Sequence, residues 1–319
     1  MALTFHDVQA ARERIAPYAV KTPLLRLQAL DDYLGCQVYA KAECMQVTGS
    51  FKYRGAMNKI LSLTKEELGR GIVAASSGNH GKALAYAAKM LGVKATIVLP
   101  YTAAQIKVDT IAGWGAETVR CEVQERFEVA ERICRERGAT LVPPYNDEQV
   151  MAGQGTAGLE LMEQCPELDT VVVPTSGGGL IGGVSTAVKA LSPRTRVYGA
   201  EPAVLPRYSV SVAAGHPVKV PAGKSVADAL VSNMPGALCF PVVAEHVDGF
   251  AAVDDSFLLK GMKLLLLEGK LLCEPSSAIG LGAVLQGLVP AKKEDKVCFL
   301  ISGGSVSLDQ LDMLKEVKL

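Results

Sequence analysis

The chain has 319 residues, 49% of them hydrophobic, with 33 Lys+Arg against 33 Asp+Glu for a formal net charge of +0. That length exceeds what one ordinary core supports, so two domains or one large α/β domain is expected. Balanced charge without long single-sign runs excludes the footprint of nucleic-acid or anionic-lipid binding and leaves a small molecule as the expected ligand.

Thr4-Phe5-His6-Asp7 reads as a capping box opening an amphipathic helix with Phe5, Val8 and Ile15 inward, not as the start of a secretory signal. Further on, a single lysine, Lys52, stands between Phe51 and Tyr53. An amine flanked by two rings is partly desolvated, which lowers its pKa toward the range where it attacks carbonyls and moves protons. Short β-branched runs at 71–75, 95–99, 170–173, 196–200 and 297–301 alternate with helical patterns. At 80–91 Ala83, Leu84, Ala87, Ala88 and Leu91 share a face; at 180–191 Leu180, Ile181, Val184, Ala187 and Val188 do. Continuous apolar strands between such helices predict a doubly wound α/β fold, its twisted and mostly parallel sheets flanked by helices.

The apolar stretch 278–291 is broken by Gln286 and falls short of the roughly 20 residues of a membrane span. The cysteines Cys36, Cys44, Cys121, Cys134, Cys165, Cys239, Cys273 and Cys298 form no C-x-x-C pair and have no histidine at metal-ligand spacing. They read as reduced thiols of a soluble, cytoplasmic protein with no metal site and no membrane partner.

Two loops carry the chemistry. Ser76-Ser77-Gly78-Asn79-His80-Gly81 follows one strand and precedes a helix. It is an ordinary cap and turn, but it also offers hydroxyls, an amide and free N–H groups where a helix start stabilises an anion. Thr175-Ser176-Gly177-Gly178-Gly179-Leu180 repeats that placement, where successive amides form an anion nest and a Cβ would hold the chain away from phosphate oxygens. The spacing is not G-x-G-x-x-G and no G-x-x-x-x-G-K-[ST] occurs, so a nucleotide fits poorly. A nest without a basic residue suits a permanently bound phosphate whose charge meets the helix dipole. Pyridoxal phosphate is such a ligand, and its aldehyde needs a lysine.

Six segments then fall in order: Ser50 to Ala56, Ser76 to Gly81, Ala152-Gly153-Gln154-Gly155-Thr156, Gly177 to Leu180, Glu274-Pro275-Ser276-Ser277-Ala278, and Ser302-Gly303-Gly304. Together they resemble the serine/threonine dehydratase and serine racemase group of fold-type II pyridoxal-phosphate enzymes, whose fold is like that of the tryptophan synthase β chain. The resemblance implies that Lys52 bonds the cofactor covalently and removes the substrate α-proton, with Phe51 packed near the ring. It assigns Asn79 to the phenolic oxygen, Ser302 to the pyridine nitrogen, and Ser176, Gly177, Gly178, Gly179 and Leu180 to the phosphate. Ser76, Ser77, Asn79 and His80 would receive the amino-acid substrate, with Ser77 opposite Lys52 across the ring. A hydroxyl at the ring nitrogen makes a weaker electron sink than a carboxylate, which favours loss of a β-substituent.

The reaction so implied is α,β-elimination of water from L-threonine or L-serine to 2-oxobutanoate or pyruvate plus ammonia. The alternatives on the same residues are a serine or other amino-acid racemase and a 3-hydroxyaspartate dehydratase, the latter using Arg126 for a second carboxylate. A noncatalytic nucleotide-binding regulator is the reading from another class. The expected organisation is a larger cofactor-binding domain from 1–67 and 147–319, a small mobile domain from 68–146, and a homodimer. Relatives that bind a divalent cation use a glutamate resembling Glu201 with an aspartate soon after, whereas Val204-Leu205-Pro206-Arg207 supplies no second carboxylate. Ser176 stands where glycine is usual, Ala229 replaces the glycine of Ala-Asp-Gly, and Glu274 reads as either a helix cap or a ring neighbour.

Overall fold

The computed structural model describes residues 3–319. Ten strands form two sheets: β1 (Leu24–Arg26), β2 (Gln37–Lys41), β3 (Ile72–Ala75), β4 (Ala95–Pro100), β5 (Glu117–Cys121), β6 (Thr140–Leu141), β7 (Thr170–Pro174), β8 (Arg196–Pro202), β9 (Gly249–Val253) and β10 (Lys296–Leu300). The larger sheet runs β1-β2-β10-β7-β8-β9 and the smaller β5-β4-β3-β6. Every pairing is parallel except that of β1 with β2.

Both faces of each sheet are buried, which is why the strands read as unbroken apolar runs rather than alternating ones. In β7 and β10, Val172, Val297 and Phe299 point into a core with Leu258, Leu265, Ile279 and Leu281. Their neighbours Val171, Val173, Cys298 and Leu300 point the other way, onto Leu161, Ile181, Val184 and Val188. The smaller sheet does the same, with Ile72, Ala74, Ile97 and Leu99 against the helix Asn79–Leu91 and Val73 and Val98 against Ala130 and Ile133. The N-terminal helix Phe5–Ile15 opens on the expected capping box between Thr4 and Asp7, burying Val8 and Ile15 with Phe5 packed at the edge.

Strands of the smaller sheet all come from residues 72–141, and those of the larger from the segments on either side. The helix Lys52–Leu61 lies between them. Its Tyr53, Met57 and Ile60 join the core of the smaller sheet, although it precedes the boundary expected at residue 67. Among the described residues no helix is long and apolar enough to cross a membrane. All eight cysteines are free thiols.

Candidate active site

In open parallel sheets a ligand crevice forms beyond the carboxyl ends of the strands. Three such ends meet here. β3 leads into Ser76–Gly81 and the helix Asn79–Leu91, β7 leads into Thr175–Gly179 and the helix Gly179–Leu191, and β10 leads to Ser302. The lysine reaches this point by backbone pairing, not by a strand of its own. Ser50 bridges Gly303, Phe51 N donates to Ser302 O at 3.0 Å, and Gly304 N donates to Gly49 O at 2.8 Å.

The result is a cavity of about 700 Å³ whose wall includes every site residue expected from the sequence: Phe51, Lys52, Ser76, Ser77, Asn79, His80, Ser176, Gly177, Gly178, Gly179, Leu180 and Ser302. Lys52 Nζ donates to Pro144 O at 2.7 Å and lies 4.9 Å from the centroid of the Phe51 ring. Burial brings its pKa down to about 8, against a smaller upward pull from Cys239 and Glu274. A lysine so placed is substantially neutral just above physiological pH, as a nucleophile or base requires.

His80 behaves differently from a simple carboxylate donor. Its ring is buried, Nε2 lies 2.9 Å from the carbonyl of Val142, and burial together with the charge of Lys52 lowers its pKa to about 3. The ring is therefore neutral, with its one proton on Nε2 given to Val142 and Nδ1 left without a partner. What this segment offers an anion is its main chain: the first N–H groups of the helix Asn79–Leu91 have no intrahelical acceptor. Gly81 is obligatory beneath them, because a Cβ would sit 2.0 Å from Ser76 O.

The glycines of the second loop face a protein wall as well as the cavity. A Cβ at Gly177 would lie 2.4 Å from the Tyr145 ring, and one at Gly178 would lie 1.9 Å from Tyr208 Oη. Gly178 has φ +104, in the left-handed region. Tyr208 Oη donates to Gly177 O at 3.1 Å and so holds the loop from behind. Neither tyrosine was singled out from the sequence. Their contacts span 30 residues or more, and the only local hint is Pro143-Pro144, a loop marker whose carbonyls stay free to accept.

Where a second metal ligand was missing, Arg207 is fully buried and donates to Thr175 O and Leu230 O, both at 2.8 Å. It thereby ties two walls of the cavity together. Glu201 accepts from Tyr208 N, Ser209 N and Ser209 Oγ. Among the described residues no group of three or more His, Cys, Asp or Glu is placed to hold a metal ion. Arg126 lines the cavity, its guanidinium 4.7 Å from the centroid of Phe127, and so do Lys82 and Lys107.

Two residues beyond Lys52, a buried charge network anchors the helix that carries it. Arg54 makes paired bonds to Glu43 (2.8 and 2.8 Å) and to Glu160 (2.6 and 2.8 Å), and Lys41 donates to Glu160 at 2.7 Å. Burial disfavours all of these charges, yet the carboxylates hold Arg54 protonated and Arg54 keeps Glu43 below its usual range. Two cations against two anions leave the cluster neutral, the condition under which buried charge is tolerated.

The arrangement fits pyridoxal phosphate. A half-buried amine whose pKa is lowered to about 8 shares the cavity with a glycine loop at a helix start, the orphaned Asn79 Oδ1 and Ser302. Lys52 would hold the aldehyde, the amides of residues 177–180 the phosphate, and Asn79 and Ser302 the ring.

Comparison with known proteins agrees. Residues 15–303 match the family described as "Pyridoxal-phosphate dependent enzyme". A serine racemase of Oryza sativa subsp. indica is 41% identical over 97% of this chain and 93% of its own. The L-threo-3-hydroxyaspartate ammonia-lyase of Saccharomyces cerevisiae is 38% identical over 96% and 94%. The solved structure of maize serine racemase superposes with a TM-score of 0.93 at 39% identity, covering 99% of this chain and 98% of that one. The chain therefore belongs to the pyridoxal-phosphate-dependent enzymes of fold type II, in the group that holds the serine racemases and the hydroxy-amino-acid ammonia-lyases, and it is a pyridoxal-phosphate-dependent lyase of that group.

Proposed function

We propose that this enzyme acts on serine and related β-hydroxy amino acids, exchanging the α-proton between the two faces and also expelling the β-hydroxyl as water to leave a 2-oxo acid and ammonium. The sequence put elimination first and racemisation second. Relatives named serine racemase, at 41% and 39% identity, bring racemisation forward as the leading reading. The observation that carries the proposal is the convergence of Lys52 and Ser77 on one cavity, beside a helix start able to take a carboxylate.

Pyridoxal phosphate, when bound, supplies the electron sink that makes the α-hydrogen of an amino acid removable. Lys52, with a pKa of about 8, suits the proton-accepting role on one face. Ser77, which lines the same cavity from the loop after β3, is the donor for the other face in this reading. The N–H groups of the helix Asn79–Leu91 orient the substrate carboxylate. Closure of the small domain, residues 68–146, over the substrate would exclude water from the exchanging proton.

A dicarboxylic substrate such as 3-hydroxyaspartate is the second reading. It is favoured by Lys82, Lys107 and Arg126 on the cavity wall and by the yeast relative's activity. The test is to incubate the holoenzyme with L-serine, L-threonine and 3-hydroxyaspartate, resolve the enantiomers by chiral chromatography, and assay 2-oxo acid and ammonium in the same tubes. D-serine together with pyruvate supports the leading reading. Turnover of 3-hydroxyaspartate alone selects the second, and no change in any substrate sinks both.

A further inference from the structure

Every buried acid of this protein accepts hydrogen bonds, and Glu274 is the one whose side-chain donor is a single amide nitrogen. Glu43 and Glu160 share Arg54, and Glu201 takes three donors from Tyr208 and Ser209. Glu274 is 4% exposed, and among the described residues it forms no ion pair. It occupies the N-cap position of the helix Pro275–Leu285, yet its side chain makes no capping bond. The carboxyl turns instead to Asn79, whose single Nδ2 donates to both of its oxygens, at 3.0 and 2.9 Å.

That contact leaves a second irregularity. Asn79 Oδ1 is buried and has no partner. Gly303 packs closely against the pair: a Cβ there would lie 2.8 Å from Glu274 Oε1 and 3.1 Å from Asn79 Nδ2. A buried carboxylate held by hydrogen bonds but by no cation, and an unpaired buried acceptor, are each costly. One proton and one turn of the amide remove both costs. A protonated carboxyl has an O–H to give to Oδ1, and the inverted amide then directs its N–H groups away from Glu274.

We propose that Glu274 is a positioning residue that holds a proton in the working enzyme and donates it in a hydrogen bond to Asn79 Oδ1, so that the Asn79 amide presents N–H to the phenolic oxygen of the cofactor. This rests on the reading of Asn79 as that oxygen's partner. The proton stays on Glu274; no bond to carbon forms or breaks. Burial supports the assignment by raising the Glu274 carboxyl to about 7, with Asp228 adding to the rise and Asn79, the Ser305 N–H and Lys82 opposing it. The other titratable groups facing it are Lys52, Cys44 and Cys273. With a phenolic oxygen bound beyond Asn79, the protonated form is the one that gives the orphaned Oδ1 a donor while leaving an Nδ2–H for that oxygen.

The test compares wild type, Glu274→Gln and Glu274→Met. Cofactor affinity of the apoprotein, and absorbance and fluorescence of the reconstituted holoenzyme, are followed from about pH 6 to about pH 10. A glutamine amide donates to Oδ1 as the acid does but does not titrate. Glu274→Gln should therefore match wild type at the acidic end and keep that affinity and spectrum where wild type loses them. Glu274→Met should bind the cofactor about tenfold more weakly throughout, the worth of one lost hydrogen bond. Titration of Lys52 is common to all three and cancels in the comparison. The proposal is overturned if Glu274→Gln follows the wild-type pH dependence, or if it is as impaired as Glu274→Met at every pH. Failure of wild type itself to bind pyridoxal phosphate would instead overturn the cofactor assignment of Asn79.

Discussion

Replacing Lys52 by methionine should make the cofactor-free protein more stable at neutral pH. Burial is the main reason the Lys52 amine falls from 10.5 to about 8. Between those two values the unfolded chain binds the extra proton and the folded one does not, so this residue's contribution to stability rises with pH. Below about 8 both states are protonated and the buried charge costs its full amount, about 3 kcal/mol for a shift of that size. Methionine fills a similar volume without charge but strips the carbonyl of Pro144 of its donor, which returns about 1 kcal/mol of cost. The variant should then gain about 2 kcal/mol near pH 7, and lose by about 1 kcal/mol at or above about pH 10.5. Urea unfolding of both apoproteins at the two pH values measures the difference, and other alkaline titrations cancel between them. A variant no more stable than wild type at neutral pH, or one whose advantage grows with pH, would show that the amine is solvated rather than buried. The expected result is a stability cost accepted for a reactive amine, of the kind functional sites carry.

Gly178→Ala forces a side chain onto φ +104 and a Cβ to within 1.9 Å of Tyr208 Oη, and should cost about 2 kcal/mol or more. Cofactor titration and a melting curve would both register it, and an unchanged pair of values would refute the packing of the loop on Tyr208. Arg54→Met leaves Glu43 buried without its paired cation and should lower stability by about 3–5 kcal/mol. Adding Glu43→Gln should recover part of that loss, and strict additivity in the double variant would contradict the coupling. Ser77→Ala should cut formation of D-serine about 100-fold while cofactor affinity stays at the wild-type value. Undiminished racemisation would remove Ser77 from the proton path.

Much of the site was legible because its parts are local. A lysine between two rings, a serine-rich turn before a helix and a glycine run after a strand are each fixed by a few neighbouring residues, and the expected helices appear at Asn79–Leu91 and Gly179–Leu191. Strands β1, β2, β5, β6 and β9 were not singled out. β1, β5 and β6 lie wholly or largely outside the buried apolar pattern, with exposed or half-buried positions, and a short run of that kind resembles a loop. The glycine run was expected to make room for phosphate, and it was the structure that added Tyr145 and Tyr208 against its other side.

By itself the amino-acid sequence determined the fold class, the two-sided burial of the strands and the identity of the residues that line the cavity, since each depends on periodicity or on the chemistry of a short segment. Only the tertiary structure decided what those residues answer to: the carbonyl of Val142 on His80, Arg207 on Thr175 and Leu230, and Glu274 on Asn79 across 195 positions. These partners are set by the order in which parallel strands stack, which carries their loops to a common edge. Charge state and hydrogen-bond direction in a buried site follow from whichever groups that stacking brings within 3 Å or so of one another.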